Sequence, residues 1–107
     1  YIHKFVFMHI SLCLNSIDEA YGGSTGFNLP VAIRQQLLAL FHQYNVTAVF
    51  QGHYHVNAYV NDNGLEIITT SSCTCGLGST EFPPGIRIIK VYSDHIEQEF
   101  RTLDSLP

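Results

Sequence analysis

Two short apolar runs, "KFVFMHI" (4–10) and "VTAVFQ" (46–51), flank a segment with helical periodicity, and this arrangement limits the fold more than any other feature. Both runs are rich in Phe and Val and lack polar alternation, as expected of strands buried on both faces. Between them, "LPVAIRQQLLALFHQY" (29–44) places Ile33, Leu37, Leu40, Phe41 and Tyr44 at offsets of 0, 4, 7, 8 and 11, which predicts one apolar helical face. Asn28 is placed to cap this helix, and Pro30 suits its first turn. His42 lies beside the stripe and is expected on the solvated helix surface. A strand–helix–strand unit implies parallel pairing with a right-handed crossover.

Downstream, "LEIITTSS" (65–72), "GIRIIKVYS" (85–93) and "HIEQEFRTL" (95–103) read as strands. Turn signals at Asn61-Asp62-Asn63-Gly64 and Ser93-Asp94 make part of this half antiparallel. The chain is thus α/β over 1–55 and mostly β over 56–107. Residues 15–28 collect Gly, Ser, Asn and Asp and form a loop. With neither internal repeat nor linker-like break, 1–107 is taken as a single unit.

Composition narrows the function classes. The 107 residues are 46% hydrophobic and carry a net charge of −4. That is enough apolar material for a core, and it offers no basic footprint for nucleic acid or an anionic membrane. No apolar run approaches the ~20 residues that span a bilayer. Cys13, Cys73 and Cys75 are odd in number and lack a paired framework, which points to a reducing, cytoplasmic setting with the cysteines as small buried side chains. The chain opens inside an apparent strand without an initiator Met or a signal peptide. It reads as a chain missing its natural beginning, or as a processed product.

The second apolar run ends in "FQGHYH" (50–55). On a strand, alternate side chains share a face, so His53 and His55 are expected to point the same way. Paired imidazoles are costly to bury without a partner, and a metal ion removes that cost. Gly52 would allow a sharp turn and a close backbone approach. Open α/β sheets carry their sites beyond the carboxyl ends of the strands, where His9 ends the first run just as His53 and His55 follow the second. Three imidazoles are expected to converge there. His3, at the far end of the first run, and His95, in a late turn beside Asp94, are left outside. The carboxylates of the chain (Asp18, Glu19, Asp62, Glu66) have no convincing spacing to the histidines.

"FVFMHISLCL" followed by "VTAVFQGHYHVNA" resembles the calcineurin-like metallophosphoesterases, and the similarity runs on through "LEIITTSSCTCGLG" and "PPGIRIIKVYSDHIEQEFRTLD" over nearly the whole chain. In that family one strand ends in His and a later one in Gly-His-x-His. The resemblance implies the C-terminal half of a four-layer α/β/β/α sandwich. It also implies a metal-dependent phosphomonoester hydrolase of the serine/threonine-protein phosphatase type, working through a dinuclear centre of Mn, Fe or Zn and a bridging hydroxide. Carried over by position, His9 and His53 would bind one metal and His55 the other, with Gly52 and Asn57 behind them; Tyr54 would point away and pack. The implied substrate is a phosphoprotein or small phosphomonoester. Position 11 is Ser where the family commonly has Pro. The family's Asp-x-His, Gly-Asp-x-x-Asp and Gly-Asn-His motifs, which carry the other ligands and the general-acid His, do not occur in these 107 residues. The missing N-terminal half of the domain is therefore an expected partner, and the chain alone is expected to be inactive, with no catalytic residue of its own.

A different class is a non-enzymatic fragment that binds metal or serves as an interaction module. A cupin-type dioxygenase also uses His-x-His, but it needs a Glu shortly afterwards. After His55 the first Glu is Glu66, and a helical crossover suits a cupin poorly.

Overall fold

A computed structural model describes residues 2–23, 26, 28–73 and 83–106. The elements run β1 (Phe5–Phe7), α1 (Val31–Gln43), β2 (Ala48–Gln51), β3 (Ala58–Asp62), β4 (Leu65–Thr69), β5 (Gly85–Val91) and β6 (Ile96–Thr102), followed by a short 3-10 turn at Leu103–Ser105. β1, β2, β4 and β3 form one sheet in that order, and β5 and β6 form a second. As the strand–helix–strand pattern requires, β1 and β2 pair in parallel, with Phe5 opposite Ala48 and Phe7 opposite Phe50. β4 pairs in parallel with β2, and β3 returns antiparallel on its outer side. The protein is α/β, with a mainly parallel sheet and a separate antiparallel one.

Alternation along the central strands sends successive residues to opposite faces. Val49 and Ile67 pack with Leu38 and Phe41 of α1, Leu12, Cys13 and Leu65. Their neighbours Ala48 and Ile68 meet Ile96 of β6, with Ile89, Phe5 and Phe50 around them. The four-stranded sheet is therefore the middle layer between the helix and the two-stranded sheet. β1 forms one edge of it, with Phe7 exposed and stacked on Phe50 at a centroid separation of 5.2 Å.

The helix differs from its sequence reading in two respects. Its buried residues are Arg34, Leu38 and Phe41, while Ile33, Leu40 and Tyr44 are about half exposed. The face is rotated because Arg34, which looks like a surface residue, is wholly buried, its guanidinium donating to the carbonyls of Ile17, Glu19 and Leu29. Asn28 does not cap the helix; Pro30 holds the cap position, and the Asn28 amide is bound to Glu19 and Ala20 instead. The helix stops in a Schellman turn. Asn45 adopts φ 56°, its N–H donates to the His42 carbonyl, and the Val46 N–H donates to the Phe41 carbonyl, Val46 packing against the core cluster that includes Phe41.

Asn63-Gly64 makes the predicted tight turn, both residues having positive φ, but it joins β4 to a strand, β3, that the sequence reading left out. Cys13 is buried as expected, and burial pushes its thiol up to about 11. Cys73 is exposed, contrary to expectation, because it follows the end of β4, and Cys75 lies outside the described residues. No helix among the described residues is long and apolar enough to cross a membrane.

Candidate metal centre

The parallel ladder between β1 and β2 continues past both strands. Met8 donates to the Phe50 carbonyl at 3.0 Å, and the Gly52 N–H donates to the His9 carbonyl at 3.1 Å. This extension brings the residue after each strand to one rim, where His53 Nδ1 stands 3.1 Å from His9 Nε2. The rings meet edge to face with centroids 4.9 Å apart. His9, Gly52, Gln51, Thr70, Phe7, Met8 and Phe50 border an open cleft of about 550 Å³ there.

The segment that carries His53 and His55 leaves β2 by a different route from the one alternation predicts, and among the described residues only His53 meets His9. β2 ends at Gln51, and His53 and His55 sit in a bent loop with φ 74° and 60°. A left-handed backbone at a residue other than Gly costs roughly 1–2 kcal/mol, so the loop must be fixed at both ends. Its side chains do not follow strand alternation, and His55 does not join the His9–His53 pair in a cluster. Gly52 is not the residue with unusual backbone: its φ is ordinary, and an added Cβ would come no nearer than 3.8 Å to the Thr70 carbonyl oxygen. Its proposed role in a sharp turn is therefore carried by the two histidines.

The supports around the rim are polar and buried. Ser11, fully buried, donates from Oγ to the Gly52 carbonyl at 2.9 Å. The Gln51 amide accepts from the Leu12 N–H at 2.9 Å and donates to the Cys13 carbonyl and to Thr69 Oγ1. Asn57 Oδ1 accepts from the Ser71 N–H at 3.0 Å, and Ser71 Oγ donates to the His55 carbonyl at 3.2 Å. Of these, the sequence reading names Asn57 as a support and Ser11 only as a departure from the family's Pro. Gln51 carries no motif, although a Gln inside an otherwise apolar strand is itself a signal, because a buried amide needs partners.

The remaining candidates go elsewhere. Glu19 accepts from the N–H groups of Leu14, Asn15 and Ser16 and from the Asn28 amide. Asp62 pairs with His42 at 2.7 Å, so that this helix-surface histidine is exposed but not solitary. Glu66 accepts from the Tyr59 hydroxyl. His3 bonds to Thr47 and the Tyr92 carbonyl at the opposite end of β1, and His95 bonds to Asp94 at the surface. Among the described residues, no group of three or more His, Cys, Asp or Glu is arranged to hold a metal ion.

Two observations bear on whether the histidines fit one. A single ion bonded at about 2.0–2.1 Å to each of two imidazole nitrogens is compatible with their 3.1 Å separation. The Nδ1 of His55 is buried and has no hydrogen-bond partner among the described residues. Such an orphan costs roughly 1–3 kcal/mol, which a ligand would relieve. Among the described residues the donor set is imidazole nitrogen without a carboxylate in the group, which suits a transition-metal ion and leaves its charge unbalanced.

No protein-family model matches the chain, and no solved structure matches it closely enough to count. Characterised relatives do. The chain is 38% identical over 104 residues to serine/threonine-protein phosphatase CPPED1 of Rattus norvegicus, an alignment covering 97% of this chain and 32% of that protein. The proteins of the same name from Danio rerio and Homo sapiens match at the same identity and coverage. The chain spans about a third of the length of these curated relatives and corresponds to their C-terminal part.

Proposed function

Because the chain belongs to the calcineurin-like phosphoesterase family of serine/threonine-protein phosphatase CPPED1, we propose that it forms part of a metal-dependent phosphomonoester hydrolase acting on phosphoserine or phosphothreonine. The observation that carries this reading is the 3.1 Å approach of His9 and His53 at the carboxyl ends of adjacent parallel strands. In the proposed site these two imidazoles hold one ion and His55 holds a second, the metals being Mn, Fe or Zn. When bound, the pair of ions supplies an activated water and neutralises charge developing on the phosphoryl oxygens.

The chain's own residues supply the neutral nitrogen donors and the open cleft beside His9, which leaves room for a phosphomonoester. Asn57 supports the histidine loop from behind, and Gly52 keeps the floor of the cleft free of a side chain. The carboxylates that a two-metal site needs, and the general acid, would come from a longer protein in which 1–107 is one part of a four-layer domain. The proposed setting of that protein is the cytoplasm, with neither nucleic acid nor membrane as a partner.

The test compares the 107-residue chain with a longer protein carrying an upstream domain half, using an aryl phosphate and Mn²⁺. Turnover is expected from the longer protein, with loss on His53→Ala, and negligible turnover from the chain alone. Substantial turnover by the chain, abolished in His53→Ala, would overturn the need for the upstream half. The absence of a three-residue ligand cluster among the described residues favours a second reading, a non-enzymatic metal-binding or interaction fragment. Substoichiometric metal in the longer protein, unchanged in His9→Ala and His55→Ala, would decide for it.

A further inference from the structure

Arg87 belongs to β5 of the two-stranded sheet, yet its guanidinium reaches into the other sheet. Nε donates to Thr70 Oγ1 at 2.8 Å, and Nη2 donates to the Thr69 carbonyl at 3.2 Å and to Asn57 Oδ1 at 2.8 Å. Nη1 donates to Gln98, and the guanidinium carbon lies 5.5 Å from the centre of the Phe100 ring. Every acceptor it meets among these residues is neutral. A half-buried cation whose acceptors among the described residues are all neutral gives up hydration for little Coulomb return. What the guanidinium offers in exchange is geometry, a planar fork whose donors bracket several acceptors at once.

The acceptors it brackets are informative. Thr69 ends β4 and Thr70 follows it, and Asn57 ends the loop 52–57 that bears His53 and His55. The same Asn57 oxygen accepts from Ser71, whose hydroxyl donates to the His55 carbonyl. A continuous path therefore runs from the second sheet through Arg87, Asn57 and Ser71 to the backbone of His55. The start of the loop is fixed independently, by the Gly52 N–H on the His9 carbonyl and by Ser11 on the Gly52 carbonyl. Between these two anchors stand the two left-handed histidines, a conformation that persists only where surrounding structure enforces it.

We infer that Arg87, acting through Asn57, is a positioning residue that fixes the exit of the histidine loop and so the left-handed backbone and ring orientation of His55. The inference rests on the phosphatase reading only in taking His55 as a ligand; the anchoring itself is independent of metal.

The test uses Arg87→Met, Arg87→Lys and Asn57→Ala in the full chain. The first readout is the imidazole and backbone NMR resonances of His55 in metal-free protein, with those of His3 and His95 as internal controls; the second is Co²⁺ affinity. In Arg87→Met the His55 resonances are expected to shift or broaden while those of His95 stay in place. Asn57→Ala should reproduce the effect, and the double variant should be no worse than either single one. Arg87→Lys, which keeps the charge but loses the fork, should resemble Arg87→Met. Co²⁺ affinity should fall by roughly 10–100-fold. Native His55 resonances in folded Arg87→Met, or full restoration by Lys, would overturn the inference. If Arg87→Met does not fold, Asn57→Ala decides, because it leaves the Arg87 bonds to Thr69, Thr70 and Gln98 in place, and native His55 resonances there would overturn it equally. Displaced His55 resonances with unchanged Co²⁺ affinity would uphold the anchoring and count against His55 as a ligand.

Discussion

The hydroxyl of Ser11 donates to the carbonyl oxygen of Gly52 at 2.9 Å, so the residue two places after His9 holds the residue just before His53. Proline, which the family commonly carries at position 11, has no hydroxyl to make this bond. Ser11→Ala would leave the part-buried Gly52 carbonyl without this donor. The expected cost is about 1–2 kcal/mol, read as a lower midpoint in urea unfolding with an unchanged slope. A loss below about 0.5 kcal/mol, within the range of ordinary surface substitutions, would mean that water replaces the hydroxyl and that the bond does not matter.

Gln51 is only 4% exposed and is the polar end of β2. Its one amide satisfies the Leu12 N–H, the Cys13 carbonyl and the Thr69 hydroxyl. Gln51→Leu keeps the volume and removes all three bonds, leaving several polar groups buried and unpaired at roughly 1–3 kcal/mol each. We expect a total loss of about 3 kcal/mol, larger than for Ser11→Ala. Gln51→Glu is expected to be destabilising as well, since a carboxylate cannot donate to the Cys13 carbonyl. Calorimetric melting of the two variants against the parent chain measures both.

The contrast between these residues and the histidines shows what was legible in the sequence. The strand–helix–strand unit was readable because its two periodicities follow directly from backbone geometry, and the rim position of His9 follows from parallel pairing. The helix face was misjudged because Arg34 counts as polar in any pattern, while in the fold its guanidinium finds three loop carbonyls at once. β3 was overlooked because Asn61 and Asp62 look like turn residues, yet they lie on an edge strand whose alternate positions face solvent. The left-handed backbone of His53 and His55 has no compositional signature, since it is imposed by anchors such as Arg87 that lie far away in sequence.

Glu19 makes acid stability a test of the loop that follows His9. Burial by itself would raise its pKa, but the N–H groups of Asn15, Leu14 and Ser16 and the Asn28 amide outweigh burial and hold the carboxyl below its usual range. In the unfolded chain a Glu titrates near 4.3. The unfolded state therefore binds the proton more readily, and stability rises with pH across the interval between the folded and unfolded values. The Glu19 contribution is complete above about pH 4.3 and fades as the pH falls through the lower, folded pKa. In Glu19→Gln this part of the acid limb should flatten, while stability at neutral pH falls because a neutral amide oxygen is a weaker acceptor for three N–H groups. An acid limb identical in the variant and the parent would show that the carboxylate nest does not govern this transition.

Gly85 opens β5 with its backbone N–H on the Ser72 carbonyl at 3.1 Å. A Cβ added there would stand 2.5 Å from the Cζ of Phe100 and collide with the Arg101 carbonyl. Two effects oppose each other in Gly85→Ala. Reduced freedom of the unfolded chain favours the variant by about 0.4–1 kcal/mol, whereas overpacking costs about 1–3 kcal/mol. Because one of the obstructing groups is backbone in a paired strand, it cannot swing aside, and the clash should win, for a net loss of roughly 1–2 kcal/mol. The other obstructing group is the ring on which the Arg87 guanidinium rests. If Phe100 yields, the guanidinium loses that surface, and the disturbance should reach Asn57 and the histidine loop. Gly85→Ala is thus expected to lower the unfolding midpoint and also to shift the Asn57 side-chain amide resonances. A stability loss with unmoved Asn57 resonances would show that the ring and the bracket above it are uncoupled.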